Sequence, residues 1–343
     1  MTSKERVFAA LRHTDPDRVP RFIWLGGETY RRLTKKYGIT PLELDLKFGN
    51  DVLQTWVSIN GEMERDVLQG TEFTDSFGVR WKRDGEYNMV VRHPLAGCSA
   101  SEIRAWSPPD PHASERYERL DYLLTNYGSE YFIGADVSGT LFEPAYHLRG
   151  MENLMLDLAE GNEEVELILN KLRDFSAAAA LECVRRGADW IWLGDDLGSQ
   201  QGMLMSPDMW RVYFKPRMKT IIDAVRKAKP RMPIAYHSCG SMAPVISDLI
   251  ELGIDVVNPL QESAIGMDQK AVKRAFGDRL TLMCGLDTQQ FMPRATPDEV
   301  FRMTKEKVDT LGTSGGYIFA VSHHIQGDVS DENIDAMLRA LDG

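Results

Sequence analysis

The sequence predicts a single (β/α)8 barrel of the TIM type over residues 1–343, on three observations. From about residue 115 onward, six short apolar runs alternate with segments of helical periodicity. The first third supplies two further strand-like runs, which brings the βα units to eight. The segment after the first run, Leu25-Gly26-Gly27-Glu28, lacks the glycine-rich phosphate turn of a doubly wound open sheet.

Ser3 to Leu11 sets Val7, Phe8 and Leu11 on one helical face, and Asp15-Pro16-Asp17-Arg18-Val19-Pro20 stops that helix. Phe22-Ile23-Trp24-Leu25 reads as the first buried strand. Thr29 to Tyr37 is helical with Gly38 as its cap. Pro41 to Phe48 is a second helix, and Val52 to Ile59 the second strand. The texture then changes. Two β-like runs flank Asp84-Gly85, a pair suited to a tight turn, so residues 71–94 are expected to be a β-hairpin inserted into the barrel domain. Strands follow at Tyr131–Val137, Trp190–Leu193, Ile234–Tyr236, Val256–Asn258, Leu280–Met283 and Gly316–Val321. The helices between and after them are expected at Glu115–Tyr127, Met151–Glu160, Glu163–Arg186, Pro207–Ala228, Met242–Leu252, Gln269–Phe276, Pro297–Leu311 and Asp331–Leu341.

Apolar content of 43% and charged content of 27% describe an ordinary globular chain. The net charge of −11 argues against nucleic acid or an anionic membrane as partner, since phosphate surfaces demand clustered Lys and Arg. No apolar run reaches the length of a membrane span, and Met1 to Arg6 has no signal-peptide core. Four scattered cysteines make no disulfide framework, so a reducing cytoplasm is the expected location.

In a βα barrel the chemistry sits where strands end and loops begin. That rule singles out Asp136, Asp195 and Asp196, His237 and Cys239, Asn258 and Gln261, Cys284 and Asp287, and His323 with His324. Tyr146, His147 and Arg149 follow the third strand and are candidates for lining a pocket. Side chains at i and i+2 of a strand share a face, so His237 and Cys239 face one space while Ser238 turns away. Imidazole plus thiolate suits zinc. Cys284, His323, His324, Asp195 and Asp196 are the candidates for further ligands. Either His323 or Cys284 would complete a three-ligand set with the fourth position open, as in catalytic sites. The plainer alternatives are loop histidines bonded to backbone and a Cys284 that is merely a small buried hydrophobe. Asp195-Asp196 closes an apolar strand, and both cannot be buried unpaired without cost. One is expected to face the site as base, ligand or orienting group, the alternative being a helix cap.

Taken together, several stretches resemble the uroporphyrinogen decarboxylase superfamily. They are Arg6-Val7-Phe8-Ala9-Ala10-Leu11 with Asp17-Arg18-Val19-Pro20, Gly49-Asn50-Asp51-Val52, Tyr236-His237-Ser238-Cys239-Gly240, Gly285-Leu286-Asp287-Thr288-Gln289 and Gly315-Gly316 through His323-His324-Ile325-Gln326. One branch of that superfamily consists of cofactor-free decarboxylases, whose catalytic aspartate is matched by Asp51. Their Arg-Gln-Ala-Gly-Arg motif is replaced here by Leu25-Gly26-Gly27-Glu28-Thr29-Tyr30-Arg31. The other branch consists of corrinoid-dependent methyltransferases, among them methylcobamide:coenzyme M enzymes and O-demethylase components. It builds a zinc site from His-x-Cys and a distant third ligand, usually cysteine, at the end of the last strand. His237 and Cys239 match the pair, and His323 holds the third position.

The resemblance implies a zinc-dependent methyltransferase. It would move a methyl group between a small methyl ether, methylamine or thiol and a corrinoid (cobalamin) carried by a partner protein. The metal ligands would be His237, Cys239 and His323, with Cys284 as the rival third. Asp196 and Asp195 are the catalytic candidates. Asp51, Asp136, Tyr146, Asn258, Gln261 and Asp287 are the substrate-binding candidates. A homodimer is compatible with this reading. The alternative is a cofactor-free decarboxylase of the uroporphyrinogen type.

Overall fold

A computed structural model describes residues 1–58, 70–85 and 87–343. Eight parallel strands form one sheet: β1 (Arg21–Phe22), β2 (Val52–Trp56), β3 (Phe132–Asp136), β4 (Trp190–Gly194), β5 (Ile234–His237), β6 (Val256–Asn258), β7 (Thr281–Leu286) and β8 (Tyr317–Val321). Their spatial order is β1-β8-β7-β6-β5-β4-β3-β2. Neighbours in sequence are thus neighbours in space and β8 returns to β1, which is the (β/α)8 topology.

One junction of the ring has no strand ladder. Between β1 and β2, Asn50 Oδ1 accepts the Ile23 N–H at 2.6 Å, and Asn50 Nδ2 donates to the Ile23 carbonyl at 3.0 Å. The Asp51 N–H donates to the Arg21 carbonyl, and the Asp51 carboxylate accepts the Arg21 N–H, both at 2.9 Å. A primary amide offers one donor edge and one acceptor edge. Asn50 therefore stands in for a missing peptide unit and draws the barrel nearly closed.

The two-residue period of the strands sorts the core. Phe22, Val52, Phe132, Trp190, Trp192, Ala235, Val256, Met283 and Ile318 pack inside the barrel, with Val7 and Ala10 of the helix Ser3–Leu11 plugging its N-terminal end. Ile133, Ile191, Ile234, Val257, Leu282, Cys284 and Phe319 face the surrounding helices. Trp190 and Trp192 are fully buried; truncating either would cost about 3–5 kcal/mol.

The structure departs from the expected elements where proline, short length or a remote cap decides. Residues 71–94 hold a three-stranded antiparallel sheet rather than a simple hairpin. Arg80–Asp84 and Tyr87–Arg92 pair around Asp84-Gly85, and Glu72–Thr74 adds an edge strand too short to recognise. The expected helix Pro207–Ala228 breaks into Pro207–Tyr213 and Lys215–Ala228, since Pro216 brings no N–H and its ring obstructs a continuous helix. Pro244 likewise leaves a 3-10 turn, Ala243–Val245, before the helix Ile246–Leu252. The first strand shortens to Arg21–Phe22, although Leu25 still bridges to Ile325. Ile59, the expected end of β2, lies outside the described residues. The helix Phe142–Arg149 and the ribbon Gly198–Ser199 with Gly202–Met203 were not expected. Among the described residues no helix is long and apolar enough to cross a membrane.

Candidate functional site

β5 ends on His237, and the next four residues build a tight loop. The Ser238 N–H donates to the Asn258 carbonyl at 2.8 Å, which extends the β5–β6 pairing. The buried Ser238 hydroxyl turns away and accepts the Leu197 N–H at 3.0 Å. Gly240 then reverses the chain at φ +71°, where a β-carbon would sit 2.3 Å from the Gly198 carbonyl carbon. Only glycine permits that left-handed turn together with such an approach. Gly194 plays the same part on β4. At φ +151°, a β-carbon there would lie 2.3 Å from the His237 carbonyl oxygen.

Ligand atoms of His237, Cys239 and His323 all lie within 4.8 Å of one another. Cys239 Sγ stands 3.6 Å from His237 Nε2. Zinc–sulfur and zinc–nitrogen bonds of about 2.3 and 2.05 Å, at a tetrahedral angle, separate the two donors by about 3.6 Å. One sulfur and two nitrogens are a donor set for a borderline-soft cation such as zinc, so these residues fit the metal. The rival Cys284 faces the other way. Met283 points into the barrel, hence Cys284 points at the helices. There it is fully buried, and burial pushes its thiol well above the ordinary range.

Three polar side chains hold these residues in place. Asn258 Oδ1 meets His237 Nδ1 at 2.8 Å. Gln261 links the loops that carry Cys239 and His323: its Oε1 accepts the Gly240 N–H at 2.8 Å, and its Nε2 donates to the Ser322 carbonyl at 3.2 Å. Asp196 accepts the Cys239 N–H at 2.8 Å and lies 3.5 Å from His237 Nε2. Burial works to raise the Asp196 carboxyl, but its bonds to His237 and the Cys239 N–H hold it below the usual carboxylate range. The same burial opposes charge on His237, and Asp196 outweighs it, raising the imidazole. Burial and the neighbouring His237 push His323 down to about 4, so its ring is neutral and able to ligate near pH 7.

The other expected site residues divide. Asp136 is buried inside the barrel, where its carboxylate accepts Gln54 Nε2 at 2.8 Å and the Ser138 N–H at 2.7 Å. Burial lifts it to about 6 against those bonds. Burial raises the Tyr146 phenol, and the neighbouring Asp196 adds to the shift. Asp195 instead caps the helix Phe142–Arg149, accepting the Leu141 and Glu143 N–H groups at 3.0 Å. Asp287 turns back on its own loop and accepts the Gln289 N–H at 2.7 Å. Arg149 is committed to Asp157 and to the Leu95 and Cys98 carbonyls. Asp51 lies at the start of β2, opposite the strand ends, paired with Arg6 at 2.6 Å and Arg18 at 2.8 Å. That places it away from the strand ends that carry His237 and His323.

Glu143 and Trp24 belong to the site and were missed. Glu143 opens the helix that follows β3; burial, Asp196 and Asp195 all push its carboxyl well up, so it stays protonated. An acid in the first helical turn after a barrel strand was the available signal. Trp24 follows β1, with its ring 5.7 Å from His323, 4.1 Å from His324 and 5.3 Å from a nearly parallel Trp56. A cavity of about 570 Å³ opens beside these rings, walled by Phe22–Leu25, by β2 and by His323 and His324.

The family model described as Uroporphyrinogen decarboxylase (URO-D) matches residues 76–343. The uroporphyrinogen decarboxylase of Magnetococcus marinus is 27% identical over 187 residues, 54% of this chain and 49% of that protein. A methylated-thiol–coenzyme M methyltransferase of Methanosarcina mazei is 23% identical over 206 residues, 58% of this chain and 50% of that protein. The chain thus spans about half the length of these two curated relatives. A solved methyltransferase from Methanosarcina mazei superposes at a TM-score of 0.71 and 20% identity, covering 100% of this chain and 98% of that one. That is a likeness of fold.

Proposed function

The chain belongs to the uroporphyrinogen decarboxylase family, and from that premise we propose that it is a zinc-dependent methyltransferase. It would move a methyl group between a small methylated substrate and a corrinoid on a partner protein. The observation that carries this reading is the convergence of His237, Cys239 and His323 at chelating spacing. The relative with a methyltransferase name supports it.

The three ligands would hold zinc with one position open. Bound zinc would supply Lewis acidity, enough to hold a thiol as thiolate or to polarise the oxygen of a methyl ether. The chain's own groups do the rest. Asn258 keeps the proton of His237 on Nδ1, so Nε2 offers a lone pair. Asp196, ionised and beside the ligands, takes or steers a substrate proton. Protonated Glu143 adds no second negative charge there. Trp24 and Trp56 give one side of the site an aromatic wall.

The test is metal analysis of protein purified without a histidine tag. About one zinc per chain is expected, lost in His237→Ala and Cys239→Ala and weakened in His323→Ala. Wild-type protein without metal that releases carbon dioxide from a porphyrinogen would establish the decarboxylase alternative instead.

A further inference from the structure

The loops after β4 and β6 build a rim beside Cys239 that presents no unpaired charge, on a chain that is 27% charged. Residues 197–207 contain no charged side chain. Their ribbon, Gly198–Ser199 with Gly202–Met203, stands against the β5 loop, where the Ser199 carbonyl accepts the Ser241 N–H at 2.9 Å. The β6 loop joins it. The Ile265 N–H donates to the Gln200 carbonyl at 3.0 Å, and the Ile265 carbonyl accepts the Ser241 hydroxyl at 2.7 Å. Between residues 259 and 267 the one acid, Glu262, is paired with the buried Lys307 at 2.6 Å.

The rim presents amides and apolar side chains instead. Ile265 is 60% exposed and Leu204 43%. Gln200 Nε2 makes two long bonds, 3.4 Å to Gln261 Oε1 and 3.3 Å to Gln289 Oε1 on the loop after β7. Gln200 Oε1, Gln289 Nε2 and both ends of the exposed Gln201 amide bond to no described residue. Each such amide offers one donor edge and one acceptor edge. Gln261, which accepts the Gly240 N–H, ties this set to the residue beside Cys239.

A ligand that matches this surface is neutral, apolar in its body and bordered by amides. Charged arms would find no counter-ion there, and arms without N–H groups would leave the glutamine oxygens unanswered. Methyl transfer brings the methyl carbon within about 3–3.5 Å of its acceptor atom, so the group that holds the cobalt has to lie over residues next to the metal ligands. A corrin has the required composition, with saturated carbon and methyl groups around its body and acetamide and propionamide arms at its edge.

We propose that Gln200, Gln201 and Gln289, together with Ile265 and Leu204, form the surface that receives the amide arms of the partner's corrin. That the ligand is a corrin rests on the methyl-transfer reading above; the neutral, amide-bearing character of the rim does not.

Equilibrium dialysis of the full-length protein in the dark, followed by the visible absorption of the corrin, tests this. The probes are methylcobinamide, whose arms are amides, and the methylcobalt heptamethyl ester of cobyrinic acid, whose arms carry no N–H. The amide corrin should bind at least about tenfold tighter, the equivalent of one or two net hydrogen bonds, and its affinity should hold as salt rises, since no charge pair is involved. Gln201→Leu with Gln289→Leu should loosen the amide corrin by about tenfold and leave the ester unchanged, with thermal unfolding and zinc content showing an intact variant. Ile265→Asp should weaken both. Equal affinity for the two corrins, or no corrin binding, would overturn the proposal and leave the rim a contact for the partner's polypeptide. No loss in the double glutamine variant would overturn it too. Amide-selective corrin binding by a protein that takes up no zinc would sink zinc-dependent transfer and leave this inference standing. Zinc uptake without amide selectivity would do the reverse.

Discussion

Asn258 Oδ1 lies 2.8 Å from His237 Nδ1, and Asn258 Nδ2 donates to the Met283 carbonyl at 3.1 Å. The second bond settles the orientation of the amide, so the oxygen faces the imidazole and Nδ1 must carry the proton. Nε2 is then free to ligate. Replacing Asn258 with Leu should weaken zinc binding about 10- to 100-fold, as loss of such a partner commonly does. Asn258→Asp, which keeps the acceptor, should restore most of it. Competition against a chelator of known affinity measures both. Equal zinc affinity in the wild type and the Leu variant would sink the assignment.

Zinc loading should release protons. Burial, helped by Asp196, holds the Cys239 thiol well above its ordinary value, so it is protonated near pH 7. Ligation requires the thiolate. Apparent affinity should therefore rise between pH 6 and 8, about tenfold per unit for each proton displaced. Calorimetry in buffers of different ionisation enthalpy counts those protons. An affinity flat with pH would mean that Cys239 is not a ligand.

Asp195 is expected to act on stability and Asp196 on activity. Asp195→Ala strands the Leu141 and Glu143 N–H groups at the start of a buried helix, at a cost of about 1–3 kcal/mol. Asp195→Asn keeps an acceptor and should lose less. Urea unfolding reads both. If Asp195→Asn folds at wild-type stability yet loses all activity, Asp195 has a chemical role as well.

His147 makes the fold acid-sensitive. Its ring packs on Trp81 and Tyr146, and Nδ1 has no hydrogen-bond partner among the described residues. Burial, with His93 nearby, pushes it down to about 3. The unfolded chain takes up that proton near pH 6.5 while the folded one resists until about 3. Stability from this group is thus complete above 6.5 and falls as pH drops through that window. His147→Phe should flatten the stability–pH slope there by up to about 1.4 kcal/mol per unit. An identical slope in wild type and variant would exclude His147 as the source.

What could be read from sequence was mostly local. Strand alternation predicts that His237 and Cys239 meet, and they stand 3.6 Å apart, although β5 ends at His237 and a loop carries Cys239. The alternation of strands and helices reached the barrel for the same reason. Asn258 and Gln261 were found by position but not by role, because their partners, Met283 and Ser322, are fixed only when the ring forms. Asp195 looked catalytic because the Leu141 N–H it accepts, at the start of the helix it caps, lies 54 residues earlier. The rim glutamines sit on two separate loops, and no spacing rule joins them.

The junction between β1 and β2 has a mechanical consequence. The barrel is a bracelet whose other joints are riveted by strand pairing, whereas this one is a clasp made of one asparagine and one aspartate. The cavity's walls, Phe22–Leu25 and Val52–Trp56, are the two leaves on either side of that clasp. Spreading them would strain the Asn50 and Asp51 bonds, one of them a main-chain bond, and no ladder, whereas His237 and His323 follow strands that are paired on both sides.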